Sequence, residues 1–556
     1  MVPLLPRSLP HFQARAYEQG IIGVLTHARR LVNSFHIAIR PPPEVLYMIS
    51  SYLTEEDLFS ASQVCWHWRA DLSSFPFLWA RVSCHHALRA TASLSRCGSL
   101  PIQLRIQPRF LDVVLEDVLL HGNKIDSLII NYQPRRVSRL RRLLELSRPS
   151  VRRLQMYANS IATRVPEEPG MPDIWQDFSS LRELFVCEHT ISLGQLVAPN
   201  LVHLALEHTG YEGGEEFAVQ TILNTLRGCP LLETLLLNYA YTIPLDTPRR
   251  YSSTHLPHLR SLEVGPYEVH SGLITYLDFP PNATVGFRRI HPRYLGDDIP
   301  PAVLASLQHV LQRVDIRCVT LAASGQHGFL FRFKGQSGSL EITTTFTFDG
   351  QEPVDLLLSK EGVLFSHCPF IEGVTELHIV GCYFYVSQGL DHVKVAMPNV
   401  HTVSFFNCGG PHVFELLTSE NHSPPPFPRL ERVMVSEPQP TLEKMALRRV
   451  DLGVPLKTLV IGRGPGTSNS DRLEEPTALK GLVDDLRIGS PTEILEWGAE
   501  NKVLDTWSAP DIPILVNLNG TLPASTTPNL FPQLLFSGLS KFKFCRFELT
   551  REGARR

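Results

Sequence analysis

Residues 181–186 read LRELFV and residues 201–206 read LVHLAL: an apolar residue, two variable positions, a leucine, one variable position and another apolar residue. The same phrase stands at 125–130 (IDSLII), 151–156 (VRRLQM), 232–237 (LETLLL) and 259–264 (LRSLEV). After a gap it returns at 374–379 (VTELHI), 400–405 (VHTVSF), 430–435 (LERVMV) and 456–461 (LKTLVI). Successive starts lie 26, 30, 20, 31 and 27 residues apart in the first run, and 26, 30 and 26 in the second. A period of this size marks a stacked array of similar units.

The phrase prescribes its own structure. Its last three positions alternate between two faces, as in a short strand, and its leading apolar residue packs beneath the preceding turn. One unit leaves an apolar edge that it cannot bury, so units must stack. Between the strands, 140–146 and 216–226 have helical composition and return the chain, which makes the fold class α/β. Prolines 199, 230, 257, 398 and 428 stand just before the phrase. A proline there ends the connector and favours extended backbone ahead of the strand. These prolines account for part of an excess, 44 in 556 residues, or about 8% against a usual ~5%. At that density, long uninterrupted helices are excluded. Length alone suggests three or four domains, but an array grows by adding units, so length is a poor count here.

The rhythm breaks between residues 272 and 368. Within the gap, residues 329–348 (FLFRFKGQSGSLEITTTFTF) alternate like antiparallel strands around a Gly-Gln-Ser-Gly turn. The stretch is read as a β-rich insertion or as much-modified repeats. Residues 542–549 alternate too, and a terminal strand or cap is expected there. The first 40 residues carry five arginines and one acid, a mildly basic extension with a faint transit-peptide character.

Basic residues number 52 and acidic residues 55, a net charge of −3. That balance gives no electrostatic reason to expect nucleic acid or an anionic membrane as a partner. No run of 18 apolar residues suggests a membrane-spanning helix. Ten cysteines are scattered without a CxxC pair. They read as reduced core residues of a cytoplasmic or nuclear protein, neither a disulfide framework nor a zinc ribbon.

Upstream of the array, residues 41–82 read PPPEVLYMISSYLTEEDLFSASQVCWHWRADLSSFPFLWARV. Prolines 41–43 open a first helix, and Glu44 in its first turn suits the positive helix end. Val45, Leu46, Ile49, Tyr52 and Leu53 then repeat at helical spacing. Thr54 and Asp57 form a capping box that starts a second helix with Leu58, Ala61, Val64 and Cys65. A third stretch holds Trp66, Trp68, Leu72 and Phe75, and Pro76 ends it. Forty residues bury only a small core alone, so part of this apolar surface is left for a partner.

The stretch resembles the F-box, the helical motif that docks a substrate receptor onto the Skp-family adaptor of a cullin-RING ubiquitin ligase. The matching residues are Pro42, Glu44, Leu46, Ile49, Leu53, Asp57, Leu58, Val64, Cys65, Trp68, Arg69, Pro76, Leu78 and Trp79. One departure is Pro41, where the family usually has leucine; Ile39 lies close enough to substitute. The resemblance implies that Pro42, Glu44, Ile49, Leu53, Leu58, Val64 and Trp79 face the adaptor. It implies that Leu46, Cys65, Trp68 and Leu78 form the motif's own core. The array downstream resembles the irregular leucine-rich-repeat region of many fungal F-box proteins, with the asparagine of the standard repeat largely missing. The expected organisation is an extension (1–40), the F-box (41–82), a first repeat segment (83–272), the irregular stretch (273–370), and a second repeat segment with a cap (371–556).

Other motifs offer less. Gly462-Arg-Gly-Pro-Gly466 follows a strand but lacks the Lys-Ser/Thr of a phosphate loop, and reads as a strand-exit loop. His367 beside Cys368, and His378 with Cys382, hint at metal ligands, but four converging ligands cannot be named, and no metal or cofactor is expected. No nucleophile–base arrangement stands out, so no catalytic residue is assigned. Arg135, Arg136, Arg139, Arg142, Arg152 and Arg153 belong to a cluster opposed along the chain only by Glu145. It reads as a solvated helix face or as an anion patch for an acidic or phosphorylated segment. Only 10 of the 52 basic residues are lysine. The resemblance as a whole implies a non-catalytic receptor: the F-box binds the adaptor, and through it a cullin, while the repeats bind an unidentified target protein. A repeat scaffold without ligase activity and an anion-binding interaction protein are the alternatives.

Overall fold

The computed structural model describes residues 19–28, 41–107, 111–132, 137–158, 178–187, 196–207, 219–238, 251–265, 272–290, 301–324, 328–336, 338–344, 369–380, 396–406, 426–436, 441–462 and 477–488, with residues 393, 408 and 417. The alternating stretch at 542–549, the residues Arg135, Arg136, His367, Cys368 and Cys382, and the glycine loop beyond Gly462 lie outside these residues.

The protein is mixed α/β. Three short helices lie near the N-terminus: α1 (Pro43–Ser51), α2 (Glu55–Ala61) and α3 (Trp66–Ser73), followed by a 3-10 turn at Pro76–Trp79. Helix α4 (Ala87–Arg96) follows the first strand, and α5 (Leu111–Leu119), α6 (Val137–Ser147), α7 (Val219–Arg227), α8 (Pro301–Leu311) and α9 (Leu442–Asp451) occupy connectors. Each starts where apolar residues recur at helical spacing; in α6, Leu140, Leu143 and Leu144 are fully buried.

Among the described residues, seventeen strands form one sheet. Its first part is an all-parallel run: β1 (Arg81–Cys84), β2 (Ile102–Ile106), β3 (Ile125–Tyr132), β4 (Arg153–Ala158), β5 (Glu183–Cys187), β6 (His203–Glu207), β7 (Thr234–Asn238), β9 (Ser261–Val264) and β11 (Thr284–Ile290). The two-residue strands β8 (Thr254–His255) and β10 (Leu277–Asp278) pair separately. At the far end, β15 (Glu376–Val380), β16 (Thr402–Phe406), β17 (Arg432–Val435), β18 (Leu456–Ile461) and β19 (Val483–Ile488) form a second parallel run.

Between the two runs, the gap in the sequence rhythm does not interrupt the sheet. From β11 the chain crosses through α8 to β12 (Ile316–Ser324), which pairs parallel with β15. It then doubles back through β13 (Gly328–Gly335) and β14 (Ser339–Thr344), both antiparallel pairings, and β14 lies parallel to β11. The antiparallel strands expected within 329–348 are, over the described residues to Thr344, part of a meander that joins the two parallel runs. Its Gly-Gln-Ser-Gly turn needs its glycines: a Cβ at Gly335 would lie 2.6 Å from the Asp315 carbonyl oxygen, and one at Gly338 would collide with that of Pro281.

One row of Cα partners crosses the whole sheet: Val82, Leu104, Leu128, Leu154, Leu184, Leu204, Leu235, Leu262, Val285, Leu340, Phe333, Val319, Leu377, Val403, Val433, Leu459 and Leu486. The fourth residue of every phrase lies in this row, and all its members except Leu486 are buried. In-register stacking of one apolar residue per strand forms the spine of the core. That core is continuous from Leu46 in α1 to Val483 in β19.

The prolines before the strands hold a more specific position than a connector end. The N–H of Leu201 donates to the Ala198 carbonyl at 3.0 Å, Leu232 to Cys229 at 3.3 Å, and Leu259 to Leu256 at 3.2 Å. Likewise Val400 donates to Met397 at 3.4 Å, and Leu430 to Phe427 at 3.0 Å. Each proline is the second residue of a four-residue turn, where its fixed φ fits. The first apolar residue of the phrase closes that turn.

Candidate functional site

The N-terminal helices divide into a buried face and an exposed one. In α1, Leu46 and Ser50 are buried and Leu53, just past the helix, packs against the core. Val45, Met48, Ile49 and Tyr52 fall at i, i+3, i+4 and i+7, and form the opposite stripe. They are 37%, 56%, 52% and 89% exposed, respectively. Four large apolar side chains thus stand exposed along one face of this short helix and its C-terminal end, a cluster of the kind that marks interaction sites. Val64 in the turn before α3, Trp66 at its start and Phe77 in the 3-10 turn are also exposed.

Local chemistry fixes the helices under this face. Thr54 caps α2: its Oγ1 accepts from the Asp57 N–H at 3.2 Å and donates to Asp57 Oδ2 at 2.7 Å. Cys65 caps α3, its Sγ accepting from the Trp68 N–H at 3.5 Å. Trp79 closes the unit. Its indole Nε1–H donates to the Leu72 carbonyl at 2.8 Å, the Phe59 ring meets it edge-on at 5.1 Å, and the Arg96 guanidinium lies over it at 4.3 Å.

The unit is fastened to the sheet. Glu55 Oε2 accepts from the Ser83 N–H in β1 at 2.8 Å, and Ser93 in α4 donates to its Oε1 at 3.4 Å. Burial outweighs these bonds and pushes the Glu55 carboxyl up to about 7. The Gln103 N–H donates to the Ala80 carbonyl at 2.8 Å, continuing the ladder directly from the end of the 3-10 turn.

Of the residues expected to face an adaptor, Pro42, Glu44, Ile49 and Val64 are exposed. Leu58 and Trp79 lie elsewhere: they are 3% and 1% exposed, inside the chain's own core. The reason is the fusion of the helices to β1 and α4, which covers sides that a free three-helix unit would leave open. Leu53 is half-buried against the same core. Among the residues expected to be internal, Leu46 and Cys65 are buried, whereas Trp68 and Leu78 are partly buried against the core. The exposed Val45, Met48, Tyr52, Trp66 and Phe77 are not among the expected contact residues. The signal for Met48 was present in the sequence: positions 45, 48, 49 and 52 share one helix face, and 46, 50 and 53 share the other.

The arginine cluster is not an open anion patch among its described members. Arg142 pairs with Glu116 at 3.2 Å, Arg152 with Asp126 at 3.5 Å, and Arg153 with Glu183 through two bonds at 2.5 and 2.8 Å. Arg141 pairs with Glu145 at 2.9 Å. Along the chain only Glu145 opposes the cluster, but parallel stacking brings carboxylates from the neighbouring repeats to it. The same lateral pairing recurs at Arg260–Glu233, 3.5 Å, and Lys457–Glu431, 2.6 Å. Arg135, Arg136 and the Arg139 side chain lie outside the described residues.

No curated protein matches the chain. Among solved structures it is similar to a chain from the crystal structure of the Rad7 and Elc1 complex in yeast, at 10% identity and a TM-score of 0.25, covering 77% of this chain and 94% of that one. A likeness that loose carries no argument about fold or partner. The family comparison bears on the N-terminal helices alone: residues 42–85 match the F-box-like family, and the chain carries an F-box-like domain there.

Proposed function

We propose that the protein is the substrate-recognition subunit of a Skp–cullin–F-box ubiquitin ligase. The observation that carries this reading is the exposed stripe Val45–Met48–Ile49–Tyr52 on the first helix of a segment that matches the F-box-like family. The stripe docks the Skp-family adaptor, with Glu44, Val64 and Pro42 around it. Buried aliphatic and aromatic anchors dominate such interfaces. The stacked strands that follow are a leucine-rich-repeat-like solenoid, in two repeat segments joined by the irregular stretch, whose face or loops hold a target protein. The chain performs no covalent chemistry. It works by proximity, holding a lysine of the target near the charged ubiquitin-conjugating enzyme. A receptor of this kind would work in the cytoplasm, the nucleus or both.

Affinity purification of the tagged chain, with and without an inhibitor of cullin activation, tests the reading. A receptor co-purifies with adaptor and cullin, and at least one of its other partners accumulates when the cullin is inactive. Adaptor binding with no partner changing in level would instead identify a repeat scaffold without ligase activity.

A further inference from the structure

The meander that joins the two parallel runs meets the second run at β12 and β15. In that seam Cys318 and Glu376 are Cα partners on neighbouring strands, and His378 follows two residues along β15 on the same face. One ligand atom from each residue, the Cys318 sulfur, a Glu376 carboxylate oxygen and a His378 ring nitrogen, lies within 4.8 Å of the other two. The Nε2 of His378 is 3.5 Å from Glu376 Oε2. The His378 side chain is buried, whereas that of Glu376 is 52% exposed, so the cluster has a protected interior and an opening to solvent.

We propose that Cys318, Glu376 and His378 form a binding site for a zinc-class divalent cation that staples the meander to the second parallel run. A thiolate, an imidazole and a carboxylate are the donor types of a zinc site, at ligand bonds of roughly 2.0–2.3 Å, and three of them leave a fourth position for water or a further ligand. The donors select the metal. Calcium and magnesium require oxygen ligands, so a set with sulfur and nitrogen favours zinc or cobalt over either. The neighbouring charges sharpen this selection. Lys334 and Arg332 face Cys318 from β13, and Arg432 acts on Glu376 from β17. These cations oppose a purely electrostatic guest and favour one that bonds to sulfur. They also favour the thiolate, although burial holds the metal-free Cys318 thiol up at about 12. Binding releases that thiol proton to solvent and forms the metal–sulfur bond, with no change of oxidation state. Of this set only His378 stood out along the chain, beside Cys382; Cys318 and Glu376 lie far apart in sequence and meet only through the parallel pairing of β12 with β15.

The test is cobalt binding to the purified, chelator-stripped full chain, read as the thiolate-to-cobalt charge-transfer absorption and as a zinc-dependent shift in thermal midpoint. The expected result is one equivalent bound, with the absorption lost in Cys318→Ser and kept in Cys229→Ser, another buried cysteine far from the seam. Glu376→Gln, a change at a half-exposed side chain that the fold tolerates, weakens binding by at least about tenfold. Absence of the charge-transfer band in the wild-type chain overturns the proposal, as does its persistence in Cys318→Ser. Equal affinity in Glu376→Gln overturns the three-residue assignment.

Discussion

Glu55 shows how a single residue couples the F-box-like helices to the sheet. Its carboxyl begins α2, yet its bonds go to β1 and α4, and desolvation raises it from the ordinary carboxylate value of 4.5 to about 7. A folded-state pKa above the unfolded one means that the folded protein binds this proton more tightly. The contribution to stability is therefore fully present below about pH 4.5 and is lost as pH rises through about 7. Glu55→Gln keeps the acceptor for the Ser83 N–H and removes the charge. Its thermal midpoint, measured against wild type at pH 5 and pH 8, rises relative to wild type at the higher pH. An unchanged difference would mean that burial of this charge is immaterial. Arg449 shows the opposite solution to burial. Its guanidinium is enclosed but donates to the carbonyls of Pro426 at 3.1 Å and Phe427 at 3.2 Å, holding the Phe427 backbone at a φ of 45°. Arg449→Ala leaves those carbonyls buried without that donor and costs about 1–3 kcal/mol, checked by denaturant unfolding.

At the scale of elements, two kinds of lateral contact repeat along the sheet, and they differ in magnitude. The spine leucines contribute through burial. Leu204→Ala, in the middle of the first run, costs about 2–5 kcal/mol, measured by chemical denaturation. Ion pairs such as Arg153–Glu183 join the same strands, but both partners are substantially exposed. Water screens them, and Arg153→Ala costs about 1 kcal/mol or less. A larger loss there than at Leu204 would reverse this ranking. Much of the element pattern was legible in the sequence, because the fourth residue of the phrase marks the spine at Leu128, Leu154, Leu184 and onward. Other features were not legible, for physical reasons. The carboxylate partners of the arginine cluster come from the adjacent repeats, at distances along the chain that a local charge count cannot see. Strand β11 keeps the register through Val285 and Phe287 although its phrase is degraded, since register is set by neighbours already in place.

At the scale of the whole molecule, the F-box-like helices and the stacked strands are not beads on a string. Trp79 and Leu58 lie in a core that runs on into β1, so the residues expected to meet a partner were partly consumed by the chain itself. The sequence marked residues 41–82 as F-box-like but merged the two faces of α1, because apolar residues occupy both and only burial separates them. This changes which substitution tests the function. Leu53→Asp would disturb the core, whereas Ile49→Asp alters a 52%-exposed side chain and leaves folding within about 0.5 kcal/mol. The most direct measurement is therefore the affinity of the purified full chain for a purified Skp-family adaptor, wild type against Ile49→Asp, with matched thermal midpoints as the folding control. The account predicts that wild type binds and that Ile49→Asp loses at least about 2 kcal/mol of binding, as expected for a central anchor. Equal binding by the two chains, or none by wild type, would contradict it.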